Sequence, residues 1–430
     1  RAIALARHSA AEAIPFVHLV ECRAEWNEDD QVETETVIIE VEVERPQVLV
    51  HDVRKRELLA VDFHALDDTY PEVLSLRTSF PRVPHLNNRP FELPRSLCLY
   101  DRPWSEIALR WTAAGFVERI RDWLKLTAVG ELHQEDQPLE QLLLSYGLRI
   151  LLPHEILDDL RDSKPVKLDI CKINEKNCVA VRQVGDAPGK KSPRYVCATL
   201  VAHPQTHGII RRTPLTLADL HEFLKAGKID LLGELREQLK DWMGAEREAQ
   251  LVILVAFPLV RTDNGLPERW DFWAFMTSDK IREIGVKIGL WESLNGQLGV
   301  LIQQDLAKRG QDIPILVLSP YFTLSRKSAA LANGVPSSAI KILAVGAGAL
   351  GSQLIVSLAR SGFGAWTIVD EDDLLPHNLA RHALMGGMVG GPKASGLVQC
   401  LNSLYEEPNP AKAIVADVLN PGEAREELLR

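Results

Sequence analysis

The chain has 430 residues, 46% of them apolar and 25% charged, with 49 lysines and arginines against 59 acids for a formal charge of -10. At about 150 residues per domain this predicts about three folded domains, and the composition excludes a lone small module, a collagen-like or coiled-coil rod and a long disordered chain. No global basic field draws it to nucleic acid, and neither a long apolar span nor a leader pattern appears, so no nucleic-acid partner, no membrane partner and a cytoplasmic location are expected.

Residues 1–149 read as a first, α+β domain. An alanine-rich helix runs to about Ile14, and Val37 to Glu44 alternates with period two, a half-buried strand with Glu40, Glu42 and Glu44 toward water. Arg45-Pro46 ends it, and Gln47 to His51 and Leu58 to Phe63 supply two further strands of an antiparallel meander. Five prolines between Phe80 and Pro103 force a long ordered loop, the kind of segment that tends to carry function. Trp104 to Leu126 is predicted helical, with Ile107, Trp111, Phe116, Ile120, Trp123 and Leu124 on one stripe.

Residues 150–335 alternate strands with helices. Apolar runs at 251–257, 273–276 and 313–318 are strands, and Thr216 with Asp219 opens a helix that Gly227 closes. His203, His207 and His221 lack a metal-ligand spacing and read as solvated or core side chains. The six cysteines, at 22, 98, 171, 178, 197 and 400, form no CxxC pair, so free thiols and no metal site are expected, with Cys171 and Cys178 packed as small hydrophobes.

Residues 336–430 begin with a strand, Lys341–Val345, then the turn Gly346-Ala347-Gly348-Ala349-Leu350-Gly351, a helix from Ser352 to Ser361 and a strand, Ala365–Val369, that ends at Asp370. A helix from Lys393 to Leu404 and a strand from Ala413 to Val418 follow. A doubly wound domain needs more strands than these, so this domain is expected to continue past Arg430. Gly346, Gly348 and Gly351 let backbone N–H groups approach a phosphate, and Asp370 at the strand tip can accept from ribose hydroxyls. On those residues alone a nicotinamide-binding domain competes. Asp372, Asn378, Arg381 and Lys393 follow in order, and cations so placed suit a triphosphate attacked at its α-phosphorus, where charge builds as pyrophosphate leaves.

As a set, these residues resemble the ThiF-type adenylating family, which includes ubiquitin-activating enzymes. The resemblance implies ATP held over the glycine turn and Asp372, with Asp370 on the ribose, Asn378 and Arg381 on the phosphates and Lys393 on the α-phosphate. It also implies Mg2+, whose aspartate ligand, like the acceptor cysteine of the ubiquitin-activating members, is expected beyond residue 430.

In the proline-rich loop, His85-Leu86-Asn87-Asn88 precedes Leu97-Cys98-Leu99, and Trp104, Trp123-Leu124, Leu132-His133 and Gln137-Pro138-Leu139-Glu140 follow. From its own neighbours Cys98 reads equally as a buried apolar thiol. The order of elements resembles ubiquitin-conjugating domains, and the stretch from Pro94 to Glu140 resembles their bacterial branch. By that resemblance Cys98 carries a thioester and an asparagine amide, Asn87 or Asn88, stabilises the oxyanion; Leu86 departs from the family's proline. The tryptophans read as core and His133 as a structural polar contact.

A conjugating-type domain ahead of an adenylating domain resembles the conjugating–activating fusion proteins of bacterial anti-phage operons of the CBASS type. That implies activation of the C-terminal glycine of a cGAS-like nucleotidyltransferase or ubiquitin-like protein, ligation to a target amine, a homodimer, and a middle region resembling a degenerate adenylation fold. The alternatives are sulfur-carrier adenylation for cofactor synthesis and a pseudo-enzyme scaffold that binds nucleotide or a ubiquitin-like tail.

Overall fold

The computed structural model describes residues 1–11, 14–27, 32–64, 66, 68–87, 89, 93–143, 147–157, 166–172, 174–182, 195–208, 211–240, 242, 244–262, 265–294, 297–301, 304–337, 340–405 and 411–428. The first unit is an antiparallel meander in the order β1 (Val17–Asn27), β2 (Val32–Glu42), β3 (Arg56–His64), β4 (Glu72–Ser75) and β5 (Arg95–Ser96). One face buries Val37, Ile39, Val41, Leu59 and Val61 against Leu5 of α1 (Ala2–Ser9) and against Phe116, Ile120 and Leu124. Glu40 and Glu42 are half-buried and pair with Arg56, while the exposed Glu44 pairs with Lys125.

Three expectations for this unit change. β1 was not foreseen, because its register slips between Leu19 and Glu21 and the bulge breaks the period-two signal. Gln47 to His51 is no strand: Val48 and Val50 are exposed, and the Val50 N–H donates to Ala128 O at the end of a helix. The expected Trp104–Leu126 helix is two pieces, α2 (Trp104–Ile107) and α3 (Ala113–Val129). Extended Thr112 accepts from Gly115 N to start α3 afresh, and Gly130, at φ 78, closes it.

Among the described residues the middle unit's main sheet has eight strands, β6 (Arg149–Leu152), β7 (Val166–Lys172), β8 (Asn177–Arg182), β9 (Tyr195–Val201), β10 (Gln205–Thr206), β11 (Gln250–Val260), β12 (Arg269–Lys280) and a strand at Ile315–Phe322, and Trp291–Leu294 pairs with Gln297–Val300 in a separate hairpin. The pairing is mixed, and β9 pairs on both edges, with β7 and with β11, so the sheet returns on itself. That differs from the open, doubly wound sheet of the expected degenerate adenylation fold. The all-apolar run of β11 serves two cores, Leu251, Ile253 and Val255 in one and Val252, Leu254 and Ala256 in the other. The Thr216 capping box forms as expected, opening α4 (Leu217–Lys225), but the left-handed residue after that helix is Lys228, at φ 55, rather than Gly227.

Packing crosses the expected boundaries after 149 and 335. Leu139, Leu142 and Leu143 lie in the middle core, and Arg326 donates to Gly364 O of the third unit. That third unit is a parallel sheet whose strands Lys341–Val345, Ala365–Val369 and Lys412–Ile414 lie in sequence order, with helices Ala349–Arg360 and Lys393–Asn402 between them. Among the described residues, no helix is long and apolar enough to cross a membrane. Cys22, Cys98, Cys178, Cys197 and Cys400 are free; the Cys171 side chain lies outside the described residues.

One charged contact braces the first unit. Glu57, 1% exposed, takes Arg77 Nη2 at 2.7 Å and Nε at 3.2 Å, tying β3 to the chain after β4. Removing one partner of a buried pair costs about 3–5 kcal/mol, whereas an exposed pair contributes under about 1 kcal/mol. In urea titrations Arg77→Ala is expected to lose stability in that first range, and Arg56→Ala, at an exposed pair, to stay within the second.

Candidate functional site

Cys98 sits just past β5, where the two-residue strand leaves little ladder to hold it. The bonds run instead to the loop at residues 85–87. Cys98 N donates to His85 O at 2.9 Å, Asn87 N to Ser96 O at 2.8 Å, and Leu86 bridges Leu97. The Asn87 carboxamide nitrogen donates to Ser96 Oγ and to Leu97 O, each at 3.0 Å. Its two hydrogens are thus committed here, and Asn87 fastens the cysteine loop. Asn88 lies outside the described residues.

The half-buried Cys98 opens on a cavity of about 530 Å3 shared with Asp62, His64, Tyr70, Glu72 and Tyr100. Burial pushes the thiol pKa up, a backbone hydrogen bond at Tyr100 partly offsets this, and the carboxylates of Glu140 and Asp101 raise it further. Tyr70 stacks on Tyr100 at 5.8 Å and leans on Trp104 at 5.5 Å, walling one side. Trp104 and Trp123 are core residues, as expected, and Trp111 is half-buried.

Behind the loop the first unit docks on the middle one. Arg261 donates to Gln134 O and Gln137 O, Arg269 to Leu139 O, and Leu142 N to the buried Asp271, whose pKa burial raises. His133, expected as a polar contact, meets His85 ring to ring at 5.2 Å and His207 at 4.5 Å. Burial lowers the pKa of both His133 and His207, the latter to about 4.

In the third unit the first strand ends in a tight turn. Gly346 has φ 92, and a Cβ on Gly351 would lie 2.1 Å from Gly346 O, so neither position takes a side chain freely. Over Gly346 and Gly348 a Cβ would meet nothing within 4 Å, leaving the turn open to a ligand at the N-terminus of the following 12-residue helix. Asp370 closes the turn from the next strand, accepting from Ala347 N at 2.6 Å and from Asp372 N at 2.9 Å; each oxygen keeps a lone pair. Asp372 meets Lys393 Nζ at 2.7 Å, with Lys393 nearly buried at the start of its helix. Asn378 caps Leu375 N, and Arg381 is exposed just beyond that turn. Sequence reasoning missed the residue that bolts this loop down. Buried His382 donates from Nε2 to Ala347 O and accepts from Leu384 N, while Ser352 Oγ accepts from Ala383 N.

Residues 19–156 match Prokaryotic E2 family A, and residues 337–427 match the ThiF family. The chain joins a bacterial E2-type domain to a ThiF-type domain. It is 42% identical over 76 residues to the ATP-dependent ubiquitin transferase-like protein Cap2 of Enterobacter hormaechei subsp. hoffmannii, a match covering 18% of this chain and 12% of that protein. Identity is 44% over 69 residues to the uncharacterized protein y4oA of Sinorhizobium fredii, covering 16% and 12%. It is 41% over 64 residues to the adenylyltransferase and sulfurtransferase UBA4 of Yarrowia lipolytica, covering 15% and 16%. The chain thus spans only 12–16% of the length of these relatives. Among solved structures, E. coli tRNA N6-threonylcarbamoyladenosine dehydratase, TcdA, in complex with ATP, is 24% identical, covering 24% of this chain and 41% of that one, at a TM-score of 0.20.

Two outcomes follow for the E2-type domain. With its thiol pKa raised, Cys98 is expected to react with iodoacetamide more slowly at pH 7.5 than the exposed Cys22, with the rate climbing through the alkaline range; Glu140→Gln, which removes a carboxylate that raises that pKa, should speed it. Peptide mapping by mass spectrometry reads both sites. Asn87→Ala deletes two hydrogen bonds, so a loss of about 1–3 kcal/mol in urea stability is expected, where an amide serving only chemistry would leave stability unchanged.

Proposed function

We propose that the protein activates the C-terminal glycine of a partner, a ubiquitin-like protein or a cGAS-like nucleotidyltransferase, and ligates it to a target amine through a thioester on Cys98. The observation that carries this reading is a half-buried cysteine facing a cavity in one domain, in the same chain as an open glycine turn flanked by Asp370, Arg381 and Lys393 in another.

The chemistry runs in three balanced steps. The partner's terminal carboxylate attacks the α-phosphorus of ATP, and pyrophosphate leaves. The Cys98 thiolate, alone or after an earlier cysteine, takes the acyl group and AMP leaves. An amine then attacks the thioester, an amide bond forms, and the departing sulfur takes up the proton the amine gives up. A thiol pKa held high keeps unloaded Cys98 protonated and unreactive toward oxidants at neutral pH. Carboxylates of Asp62 and Glu72 in the cavity suit a cationic acceptor such as a lysine side chain.

At the glycine turn, backbone N–H groups and the helix N-terminus would hold phosphate and Asp370 the ribose. Lys393, now paired with Asp372, would turn to the α-phosphate, and Arg381 to the departing pyrophosphate. Pairing of two copies is part of the reading. Its support is the exposed stripe of Leu350, Leu354 and Leu358 on one helix face beside Leu343 and Val345. A role in phage defence is part of the reading, and resemblance to anti-phage fusions supports it. Sulfur-carrier adenylation accounts for the ThiF-type domain but leaves the E2-type domain without a role.

ATP–pyrophosphate exchange, driven by a partner ending in glycine, tests the reading. Arg381→Ala and Lys393→Ala are each expected to slow exchange at least about tenfold, about 1.4 kcal/mol of transition-state stabilisation, while weakening ATP binding less. Equal losses in binding and exchange would make them ordinary phosphate contacts, wild-type exchange in both would remove these two side chains from the adenylation step, and no partner-dependent exchange by wild type would overturn the adenylation reading.

A further inference from the structure

Two segments distant in sequence meet behind Cys98. His85, His133 and Glu140 each offer a ligand atom, and these atoms lie within 4.8 Å of one another. His133 Nδ1 is 3.2 Å from His85 Nε2, and Glu140 Oε1 is 3.6 Å from His85 Nδ1. Two nitrogens each about 2.0–2.1 Å from a tetrahedral zinc ion stand about 3.3–3.4 Å apart, so the imidazole pair already has the separation that shared coordination requires. His85 Nε2 also lies 3.2 Å from Gln137 Oε1, and without a cation the facing nitrogens can meet as a hydrogen bond only if one ring donates.

Two further observations point the same way. His133 Nε2 and His207 Nδ1 are buried without a hydrogen-bond partner, although their rings are 4.5 Å apart, so this knot of imidazoles has more lone pairs and donors than its protein neighbours use. His85 also sits at φ 56, a left-handed conformation uncommon outside glycine. Glu140 accepts its backbone N–H at 3.0 Å and its carbonyl accepts from Cys98 N, so the backbone is bent and clamped to present this ring.

We propose that His85, His133 and Glu140 bind a divalent transition-metal ion of the zinc class. Two imidazoles and one carboxylate are a donor set for zinc rather than for magnesium or calcium, which take oxygen. Three protein ligands leave one position for water, with His207 of the middle unit standing alongside. The ion would join the loop that carries Cys98 to the segment docked on the middle domain, so its role is to hold that loop in place.

The test uses the tag-free intact protein, stripped with EDTA and titrated by calorimetry with zinc sulfate and by visible absorption with cobalt(II). Wild type is expected to bind about one equivalent of zinc, to melt at a higher temperature with zinc than in EDTA, and to give the d–d bands of four- or five-coordinate cobalt. His133→Ala should lower zinc affinity at least tenfold. Glu140→Gln should do the same while keeping an acceptor for the His85 N–H, and both variants should match wild type by circular dichroism in EDTA. Cys98→Ala should bind as wild type does. No uptake by wild type, uptake unchanged in Glu140→Gln and His133→Ala, or uptake lost only in Cys98→Ala would each overturn the proposal.

Discussion

The position of Cys98 rests on a short set of backbone and amide hydrogen bonds between residues 85–87 and 96–98, because the strand beside it has only two residues. A long helix or central strand would fix a side chain through many repeated bonds; here few are available. Prolines at 81, 84, 94 and 103 restrict the unfolded loop and reduce the entropy lost in ordering it. Everything at this site follows from that arrangement: the cavity wall, the partial burial of the thiol, and the field of Glu140 that burial makes effective. The buried Glu57–Arg77 pair anchors the chain that enters the loop, and the segment from Gln134 to Leu142, held by Arg261, Arg269 and Asp271, anchors the chain that leaves it.

The third unit solves its positioning problem the other way. A parallel strand, a glycine turn and a helix place backbone donors by regular geometry, and the cationic loop is secured to that frame by buried His382 and Ser352. The Asp372–Lys393 pair couples the two parts. Lys393 is therefore held by Asp372 rather than free in solvent.

How much of this was legible follows from the kind of interaction involved. Strands at Lys341–Val345 and Ala365–Val369 and the turn between them were readable because each strand is a continuous apolar run, although Leu343 and Val345 of the first are exposed, and because Gly351 has no substitute 2.1 Å from a carbonyl. The loop character of residues 80–103 was readable from proline alone. β1 was hidden by a bulge, the break between α2 and α3 by apolar spacing that runs on through Thr112, and the closure of the middle sheet by pairings between strands far apart in sequence. His85, His133 and Glu140 were each in view, but no local spacing could announce them as neighbours, since 48 and 55 residues separate His85 from its two partners. Asn87 was in view as an amide near Cys98, but its bonds to Ser96 Oγ and Leu97 O depend on a fold that no local spacing announces.

The central claim is that Cys98 carries the activated glycine. Intact-mass and non-reducing gel analysis of the protein incubated with ATP, Mg2+ and a partner ending in glycine tests it most directly. The account predicts a covalent adduct that thiols release and that maps to Cys98, absent in Cys98→Ala although pyrophosphate exchange persists, and replaced by a thiol-resistant oxyester in Cys98→Ser. Ligation of the partner at wild-type rate by Cys98→Ala would contradict it, leaving Cys98 a packing residue and the E2-type domain a binding module.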